Sequence, residues 1–594
     1  MLKAGTAATT RGCSSLLYSS SSPSSYYRNL FYSRVWHRFM FKSKSWIWRH
    51  GGVAKATEEV ISAFYPHLEE LSKKCGRDLL LPWFMSISQS ISLGGFSENN
   101  RVKEIYFHGA DYFKSLWNHI DRAKKRVFID CYTISTDQTG DKTLVKLIEA
   151  AHRGVEVILT VDAFGSYHID FEKEDLIQEL KDAGGKVLKF NERDLKLIYF
   201  FFRHPSRSPT LRNHKKVCVI DDKIGLIGGM NIENRYSNPF DRQMYTEEQL
   251  EREITAEEGD RGVLDVPPDE NLLDELDEYI EKGRSNTTDF NVLLSGIGDM
   301  RDLHCMVDGP CVSYLTLSLL FSLEQSNSKY GKELALRFPK EDICTADREF
   351  EPESLHDFIE EAVPKEVNSS IEFSSQATES MKSSVTANST IDEGRRFSQV
   401  LFSDPKKHKT ALYKNICNVI KNSTSHCYIS TPYFYPPEKL RDALITARKN
   451  GCDVRLLTCG RSDVPGMRYI STYIYEDYLK HGIRVYEYFG KTLHAKYMTI
   501  DGFFTSMGSY NLDKMSLETN LEVGIQHYDI KLAKELEKDF KRELEVSKEI
   551  LIEDWEKRPF KLKMMGFIWY WIYELFGPEG KLTFKKWIFN SNNK

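Results

Sequence analysis

The sequence predicts an α/β protein made of two pseudo-symmetric α/β/α sandwich domains, each with a mixed sheet, that share one site between them. An internal repeat is the first reason. Each half contains a histidine followed by a lysine two residues later, an aspartate seven later and an asparagine seventeen later. The second reason is that strand-like and helix-like segments alternate in both halves. A repeat outweighs other fold signals, because each copy corresponds to one structural unit.

The repeat places the same chemical groups at the same spacing in both copies. Its members are His214, Lys216, Asp221, Gly228, Gly229 and Asn231 in the first copy and His494, Lys496, Asp501, Gly508, Ser509 and Asn511 in the second. The segments Lys216–Ile220 and Lys496–Ile500 are typical of buried strands. Side chains two apart on a strand share a face, so histidine and lysine can contact one phosphate. A single copy could be a core strand with a surface histidine, but two copies in one register indicate function.

The other members of the repeat have roles that follow from their positions. We include Asp221 and Asp501 in the catalytic motif, but their odd offset from the histidine and the turn expected there indicate organisers of the turn or partners of a lysine. The small residues at 228–229 and 508–509 remove bulk, which lets backbone N–H groups approach an anion. The asparagine of each copy adds an amide donor beside them.

Two half-sites that face each other across a pseudo-twofold axis would place two imidazoles on opposite sides of one phosphorus atom. One histidine would attack the phosphorus to form a phospho-histidine, while the other protonates the leaving alcohol and then deprotonates the incoming one. The lysines, asparagines and backbone donors would stabilise the charge on the phosphorus. This chemistry needs no metal or other cofactor, and the sequence suggests no metal-ligand cluster.

A nucleophilic histidine needs an acceptor that holds its second ring nitrogen. Glu522 follows the second copy closely, so we expect it to orient His494. In the first half the corresponding strand comes later in the chain, and Asp302 is the candidate that orients His214. The alternative for either acid is an ordinary surface carboxylate.

These motifs resemble those of the phospholipase D superfamily, and more narrowly those of bacterial-type cardiolipin synthases. The resemblance covers residues 101–325 and 400–530. It rests on the segments Arg212–Asp221, Gly228–Ile232 with Tyr236, Arg301–His304 with Gly309–Pro310, Thr431–Pro436, Leu493–Lys496 and Gly508–Asp513. Hydrolytic phospholipases D and phosphatidylserine synthases share the core motifs, so both remain alternatives. Bacterial members often begin with two transmembrane helices, and we find none in this sequence.

The resemblance implies a phosphatidyltransferase that makes cardiolipin from phosphatidylglycerol and a second phosphatidyl donor. That donor is another phosphatidylglycerol, a CDP-activated lipid such as CDP-diacylglycerol, or phosphatidylethanolamine. The resemblance also implies that His214 is the nucleophile and His494 the general acid and base, an order for which the sequence alone gives no reason. A non-catalytic lipid-binding protein is a further alternative, against which the two complete motifs argue.

Charge and composition bear on partners and location. The net charge of −5 does not favour binding to nucleic acid and argues against a nuclease of the same superfamily. Residues 1–57 contain nine lysines and arginines, no acidic residue and many serines, which is typical of a mitochondrial transit peptide. Their removal would lower the net charge from −5 to −14. The alternative is a disordered basic tail.

The eleven cysteines are scattered and form no CxxC pair, which suits a reducing compartment. We therefore expect the protein at the inner mitochondrial membrane, on the matrix side. Two aromatic segments are candidates for peripheral contact with that membrane. They are Leu195–Arg203 and Met564–Tyr573, the second flanked by lysines at 561, 563, 585 and 586 and too short to span a bilayer. The alternative for each is packing in the protein core.

The chain divides into six predicted regions. They are a transit peptide or disordered segment at 1–57, a lead-in at 58–100, a first domain at 101–325 with an acidic insertion at about 240–287, an insertion or linker at 326–400, a second domain at 401–545 and a membrane-interfacial segment at 546–594. In the first domain, strands at Arg126–Tyr132 and Val155–Val161 enclose a helix at Leu144–His152. The second domain repeats this order with strands at Cys427–Ser430 and Val454–Leu457.

Overall fold

The structure is a computed structural model that describes residues 34–166, 174–191, 211–237, 300–326, 328–337, 396–404, 410–460, 462–464, 466–489 and 491–576. Its strands are β1 Phe96–Glu98, β2 Arg101–Tyr106, β3 Arg126–Cys131, β4 Glu156–Asp162, β5 Lys186–Phe190, β6 Arg212–Asn213, β7 Lys216–Ile220, β8 Ile224–Gly228, β9 Met300–Arg301, β10 His304–Asp308, β11 Phe397–Phe402, β12 His426–Ser430, β13 Asp453–Cys459, β14 Arg484–Tyr488, β15 Thr492–Leu493, β16 Tyr497–Ile500, β17 Phe504–Gly508, β18 Asn520–Leu521, β19 Val523–Tyr528 and β20 Ser547–Ile550.

The helices are α1 Arg34–Arg49, α2 Val53–Cys75, α3 Leu80–Ser92, α4 Gly109–Arg122, α5 Gln138–His152, α6 Glu174–Asp182, α7 Asn234–Ser237, α8 Cys311–Gln325, α9 Lys329–Arg337, α10 Ala411–Asn422, α11 Glu438–Lys449, α12 Met467–Lys480, α13 Lys514–Glu518, α14 Ile530–Glu545, α15 Ile552–Glu556 and α16 Phe560–Phe576. None of these described helices is both long and apolar enough to cross a bilayer.

The strands form two large mixed sheets of the same design. The first sheet has the order β2-β10-β8-β7-β3-β4-β5, and the second has β1-β11-β19-β17-β16-β12-β13-β14-β20. Three neighbouring strands are parallel in each sheet, namely β3, β4 and β5 in the first and β12, β13 and β14 in the second. From β2 and from β11 onward the elements follow in the same order. The predicted pair of similar α/β domains is therefore confirmed.

Helices cover both faces of each sheet. Helices α4, α5 and α6 lie on the outer face of the first sheet, and α8 lies on its inner face. In the second domain, α10 and α11 lie on one face and α14 on the other. The sequence pattern explains these positions, because α4 buries Tyr112, Phe113, Leu116 and Ile120 along one side.

Helix α8 joins the two halves through a shared core. Thirteen of its fifteen residues are buried, as expected for a helix that is apolar all round. It contacts β3, β7, β8 and β10 of the first sheet and β1 and β11 of the second. Each large side chain buried here, such as Phe321, contributes about 1.5–3 kcal/mol to the free energy of folding. This packing fixes one half relative to the other.

Helix α1 belongs to the folded protein, so the prediction of a disordered segment at 1–57 is wrong for residues 34–57. The helix fully buries Val35 and Phe39 and nearly buries Trp46, and the ring centroid of Phe39 lies 5.0 Å from that of Phe402 on β11. Its basic residues alternate with an apolar stripe, and that stripe packs against the core. The residues before Arg34 lie outside the described part of the chain.

Other predicted boundaries also shift. The lead-in at 58–100 forms most of α2, all of α3 and β1, and β1 pairs with β11 of the second sheet. The predicted linker at 326–400 contains α9 and the start of β11. Strand β20 pairs with β14, so the second sheet extends to Ile550. The acidic insertion at 240–287, the segment Leu195–Arg203 and lysines 585 and 586 lie outside the described residues.

Candidate active site

Two short parallel bridges join the halves at the site. Strand β6 pairs with β18, and β9 pairs with β15. Each bridge ends one residue before a histidine on one strand and one residue before an acid on the other. The backbone amide of His214 donates to the carbonyl of Leu521 at 3.0 Å, and that of His494 donates to the carbonyl of Arg301 at 2.7 Å. Continuing each bridge by one residue brings a histidine of one half against an acid of the other.

Glu522 holds His214. Nδ1 of His214 lies 3.0 Å from Oε1 and 3.2 Å from Oε2 of Glu522, which leaves Nε2 as the nitrogen able to react at phosphorus. Side chains of its own half donate three further hydrogen bonds to Glu522, from Ser509 Oγ at 2.5 Å, Ser516 Oγ at 2.8 Å and Asn520 Nδ2 at 3.2 Å. Burial lowers the pKa of His214; Glu522 opposes the shift and Lys216 adds to it. The ring is therefore neutral near pH 7.

Asp302 contacts the corresponding nitrogen of His494, which Nζ of Lys496 also approaches to 2.8 Å. Nδ1 of His494 lies 2.7 Å from Oδ2 of Asp302 and 3.1 Å from the hydroxyl of Tyr236. The backbone amide of Leu303 donates to the other carboxylate oxygen at 2.7 Å, which fixes the acid. Burial, followed by the charge of Lys496, lowers the pKa of His494 well below its usual value. This second imidazole is also neutral near pH 7.

The pairing of acids and histidines is crossed between the halves. We expected Glu522 to orient His494 and Asp302 to orient His214, and the structure shows that this prediction is wrong. The reason is the position of each acid at the junction of two elements. Glu522 lies between β18, which joins the first half, and β19, which belongs to its own sheet. Asp302 lies between β9 and β10 in the corresponding position.

Both lysines lie beside the histidine of their own motif. Nζ of Lys216 donates to the carbonyl of His214 at 2.8 Å, and Nζ of Lys496 donates to that of His494. Burial lowers the pKa of Lys216 to about 8; Glu522 opposes this and Lys496 adds to it. Burial also lowers the pKa of Lys496. Each lysine lowers the pKa of the other half's histidine, so the half-sites lie within electrostatic range of each other.

The small residues of each motif serve the acids rather than an anion. The backbone N–H groups of Gly229 and Ser509 donate to carbonyls of neighbouring segments at 3.0 Å, so the predicted approach of these N–H groups to a phosphate is wrong. A Cβ on Gly229 would lie 2.3 Å from Oδ1 of Asp302. The hydroxyl of Ser509 instead donates to Glu522 at 2.5 Å. Gly229 therefore leaves room for Asp302, and Ser509, at the corresponding position of the second motif, holds Glu522 by a hydrogen bond.

Asp221 and Asp501 organise turns at the far ends of the two motif strands. The carboxylate of Asp221 accepts hydrogen bonds from the backbone amides of residues 124–126, the shortest at 2.7 Å. Asp501 accepts from the amides of residues 424–426 and from the indole of Trp83 at 2.8 Å. Their φ angles of 53° and 51° suit aspartate in a turn. These contacts match the predicted turn role and give no support to a catalytic one.

The two asparagines present unbonded polar atoms at the site. Oδ1 of Asn231 and Oδ1 of Asn511 are buried and have no hydrogen-bond partner in the described part of the chain. Nδ2 of Asn231 lies 3.4 Å from the hydroxyl of Tyr236, which in turn contacts His494. A buried polar atom without a partner is costly unless a ligand supplies one. Both asparagines therefore remain candidates for contact with a substrate headgroup.

Three residues near His494 were missing from the site predicted from the sequence. They are Tyr236, Tyr433 and Asp463, the last in the loop that follows β13. The charge of Asp463 partly opposes the lowering of the pKa of His494. The hydroxyl of Tyr433 donates a hydrogen bond to Asp463 at 2.5 Å. Tyr236 and Tyr433 fall in or next to segments that carried the family resemblance, which was the available signal. Asp463 follows no pattern that marks it.

This arrangement suits displacement at a phosphorus atom. Two neutral imidazoles, each held at Nδ1 by a carboxylate, are accompanied by two lysines that attract an anion. One ring can form a bond to phosphorus, and the other can exchange a proton with an alcohol.

One known protein family matches the chain at two places. The family described as "Cardiolipin synthase, PLD-like domain" matches residues 116–243 and again residues 416–544. The chain belongs to the phospholipase D superfamily. Each matched stretch contains one of the two histidine–lysine motifs. The two copies of this phospholipase D-like domain therefore coincide with the two half-sites.

Individual relatives resemble the chain over most of its length. A cardiolipin synthase from Clostridium perfringens (strain SM101 / Type A) is 24% identical over 507 residues, which cover 85% of this chain and 82% of the relative. One from Geobacillus sp. (strain WCH70) is 25% identical over 458 residues, which cover 77% and 69%. Among solved structures, phosphatidylserine synthase from Haemophilus influenzae Rd KW20 covers 78% of this chain and 91% of its own, with 13% identity and a TM-score of 0.49.

The crossed pairing predicts which histidine each acid controls. Glu522→Gln should remove the low-field Nδ1–H proton resonance of His214, identified by its loss in His214→Ala, and leave that of His494. Asp302→Asn should do the reverse. Each substitution should also lower kcat by about 10²–10⁴-fold with a smaller change in KM, because the ring loses its orienting acceptor. An effect of Glu522→Gln confined to His494 would contradict the crossed pairing.

The lowered pKa of Lys216 predicts an alkaline limit to activity. Its ammonium group is present below pH 8 and lost above it, so kcat/KM should fall as the pH rises through about 8. In Lys216→Arg the charge persists at every accessible pH, so the fall should move upward by about one pH unit or more. The measurement is kcat/KM against pH with a soluble short-chain phospholipid. An unchanged alkaline limb in the arginine variant would exclude Lys216 as the titrating group.

Proposed function

We propose that this protein is a cardiolipin synthase, which transfers a phosphatidyl group to phosphatidylglycerol through a phospho-histidine intermediate. The observation that supports this most is the pair of neutral imidazoles, each oriented by a buried acid of the opposite half. The matched family and the relatives from Clostridium perfringens and Geobacillus sp., both named cardiolipin synthases, supply the substrate class.

The proposed first step breaks the phosphodiester of the donor lipid. Nε2 of His214 attacks the phosphorus while the bond to the leaving alcohol breaks, and His494 donates the proton that this alcohol needs. Lys216 and Lys496 offset the charge of the phosphate. When the donor is phosphatidylglycerol the leaving group is glycerol, and when it is CDP-diacylglycerol the leaving group is CMP.

The proposed second step forms cardiolipin. A hydroxyl of phosphatidylglycerol loses its proton to His494 and attacks the phospho-histidine, and the bond between phosphorus and nitrogen breaks. Water in place of this hydroxyl would release phosphatidic acid, which is the reaction of a hydrolytic phospholipase D.

The substrate itself helps to charge His494. In the protein without substrate, two lysines and burial keep the pKa of this histidine low. An anionic phosphodiester between the lysines offsets their charge, so the pKa of His494 rises when the lipid binds. Proton donation by His494 is then coupled to occupancy of the site, because the bound phosphate further stabilises the protonated ring.

Mass-spectrometric product analysis tests this function. Purified protein given phosphatidylglycerol, with and without CDP-diacylglycerol, should form cardiolipin. His214→Ala and His494→Ala should each lower the rate at least about a thousandfold without unfolding the protein. His481→Ala, at the half-exposed end of α12, is the matched control and should keep normal activity. Phosphatidic acid as the only product would indicate a hydrolase, and near-normal activity in either histidine variant would exclude the shared-site mechanism.

We further propose that residues 1–33 direct the protein to mitochondria, where it acts at the inner membrane from the matrix side. These residues contain lysine and arginine but no acid, and α1, which follows them, packs into the core. A fluorescent protein fused to residues 1–33 should reach mitochondria, and Arg11→Gln with Arg28→Gln should reduce this import. Cytosolic fluorescence of the unsubstituted fusion would contradict the proposal.

A further inference from the structure

Helix α16 exposes a continuous row of large apolar side chains. The row, called here the outer face of α16, consists of Phe560, Met564, Phe567, Ile568, Trp571 and Ile572. Their exposed fractions run from 37% for Trp571 to 75% for Phe560. They recur every three or four residues, which places them on one side of the helix. A cluster of this size on one exposed helix face indicates an interaction surface.

The opposite side of α16 is fixed to the second domain. The ring of Trp569 packs so closely on Gly466 that a Cβ there would lie 2.4 Å from it. The rings of Tyr570 and Tyr573 pack edge-on against Tyr435, at centroid distances of 5.9 and 5.2 Å. Glu574 accepts a hydrogen bond from the hydroxyl of Tyr435 and forms an ion pair with Lys514 of α13. These contacts fix the orientation of α16, so the outer face points away from the second domain.

The outer face lies close to a loop that contacts the site. Gly466, against which Trp569 packs, directly precedes α12 and follows the loop that carries Asp463 and Val464. Val464 is itself exposed. Asp463 accepts a hydrogen bond from Tyr433, whose ring meets that of His494 edge-on at 6.1 Å. One short loop thus connects the apolar surface to the reacting groups.

Charge indicates what covers this surface. Lys561 and Lys563 are exposed beside the outer face, and the single acid of α16, Glu574, points inward to Tyr435. A helix with apolar and aromatic residues on one exposed side and flanking lysines suits the headgroup region of an anionic bilayer. At seventeen residues the helix is about 25 Å long, enough to lie along a membrane surface.

We propose that the outer face of α16 inserts into the headgroup region of a bilayer containing anionic phospholipid and holds the loop at Asp463 and Val464, which contacts the site, against that bilayer. The second part rests on the proposed function, because it supplies the reason for lipid to enter the site. The phosphatidyl substrate then passes from the membrane along the loop at Val464 to the two histidines without crossing water.

Vesicle binding by the full chain tests the insertion without requiring turnover. Wild type should bind vesicles of equal parts phosphatidylcholine and phosphatidylglycerol. Phe567→Ser with Ile568→Ser should weaken binding by more than about tenfold, because two large apolar side chains leave the bilayer. The matched control, Val145→Ser with Tyr330→Ser, removes two equally exposed apolar side chains from α5 and α9 and should bind as wild type does.

The lysines predict a separate effect. Lys561→Ala with Lys563→Ala should weaken binding by about fivefold for each lysine at low salt. The loss should vanish at high salt or with vesicles of phosphatidylcholine alone, since it depends on anionic headgroups.

Activity separates the two proposals. The Phe567→Ser, Ile568→Ser variant should lose activity on vesicles and keep it on soluble short-chain phosphatidylglycerol. Unchanged vesicle binding in this variant would overturn the membrane proposal whatever the activity. A wild-type dimer in solution that the same variant dissociates, with no vesicle binding, would also overturn it in favour of self-association. Face-dependent vesicle binding without cardiolipin formation would uphold membrane docking and refute the proposed function.

Discussion

The whole site depends on an exchange of acids between two domains. Glu522 of the second half holds His214, and Asp302 of the first half holds His494, so neither domain can orient its own histidine. Two bridges of only two residue pairs each set this exchange. Such short strands are marginal by themselves. The core around α8 therefore supplies the rigidity that the bridges lack, because it packs on both sheets at once.

Buried charge is tolerated here because nearly every group is paired. Arg301, the residue before Asp302, donates to Asp539 and to Glu543 of α14, both at 2.7 Å. These ion pairs cross from the first half to the second beside the bridge of β9 and β15. Breaking one buried partner of such a pair costs about 3–5 kcal/mol. The site and the domain interface are thus stabilised by the same electrostatic network.

The sequence predicted the two domains and the two histidine–lysine pairs because the same repeated motif indicates a duplicated domain and a duplicated set of reactive groups. The spacing of His214 and Lys216, repeated at His494 and Lys496, predicted a buried strand after each histidine, and both strands are present, beginning at Lys216 and at Tyr497. The two histidines precede these strands rather than lying on them. The crossed acids could not be found this way. Two pseudo-symmetric halves allow an acid to serve either histidine, and sequence separation does not record which strand bridges the interface.

Helix α1 and the small residues were misread for a related reason. A basic stretch without acids describes both a targeting segment and a helix that packs through a narrow apolar stripe, and only the packing of Phe39 separates them. Similarly, position 229 must be glycine because a larger side chain would clash with Asp302, which lies 73 positions later in the chain. Local composition identifies a constraint at such a position, but the neighbour that imposes it comes from elsewhere in the fold.

The crossed acids also order events during synthesis. His214 leaves the ribosome 308 residues before Glu522, an interval of roughly 15–60 s at ordinary elongation rates of about 5–20 residues per second. Throughout that interval the ring has no carboxylate to fix its tautomer. A nascent or truncated polypeptide therefore carries a complete first motif whose histidine lacks its orienting acid. His214 is oriented only after the final third of the polypeptide has been synthesised and has folded onto the first.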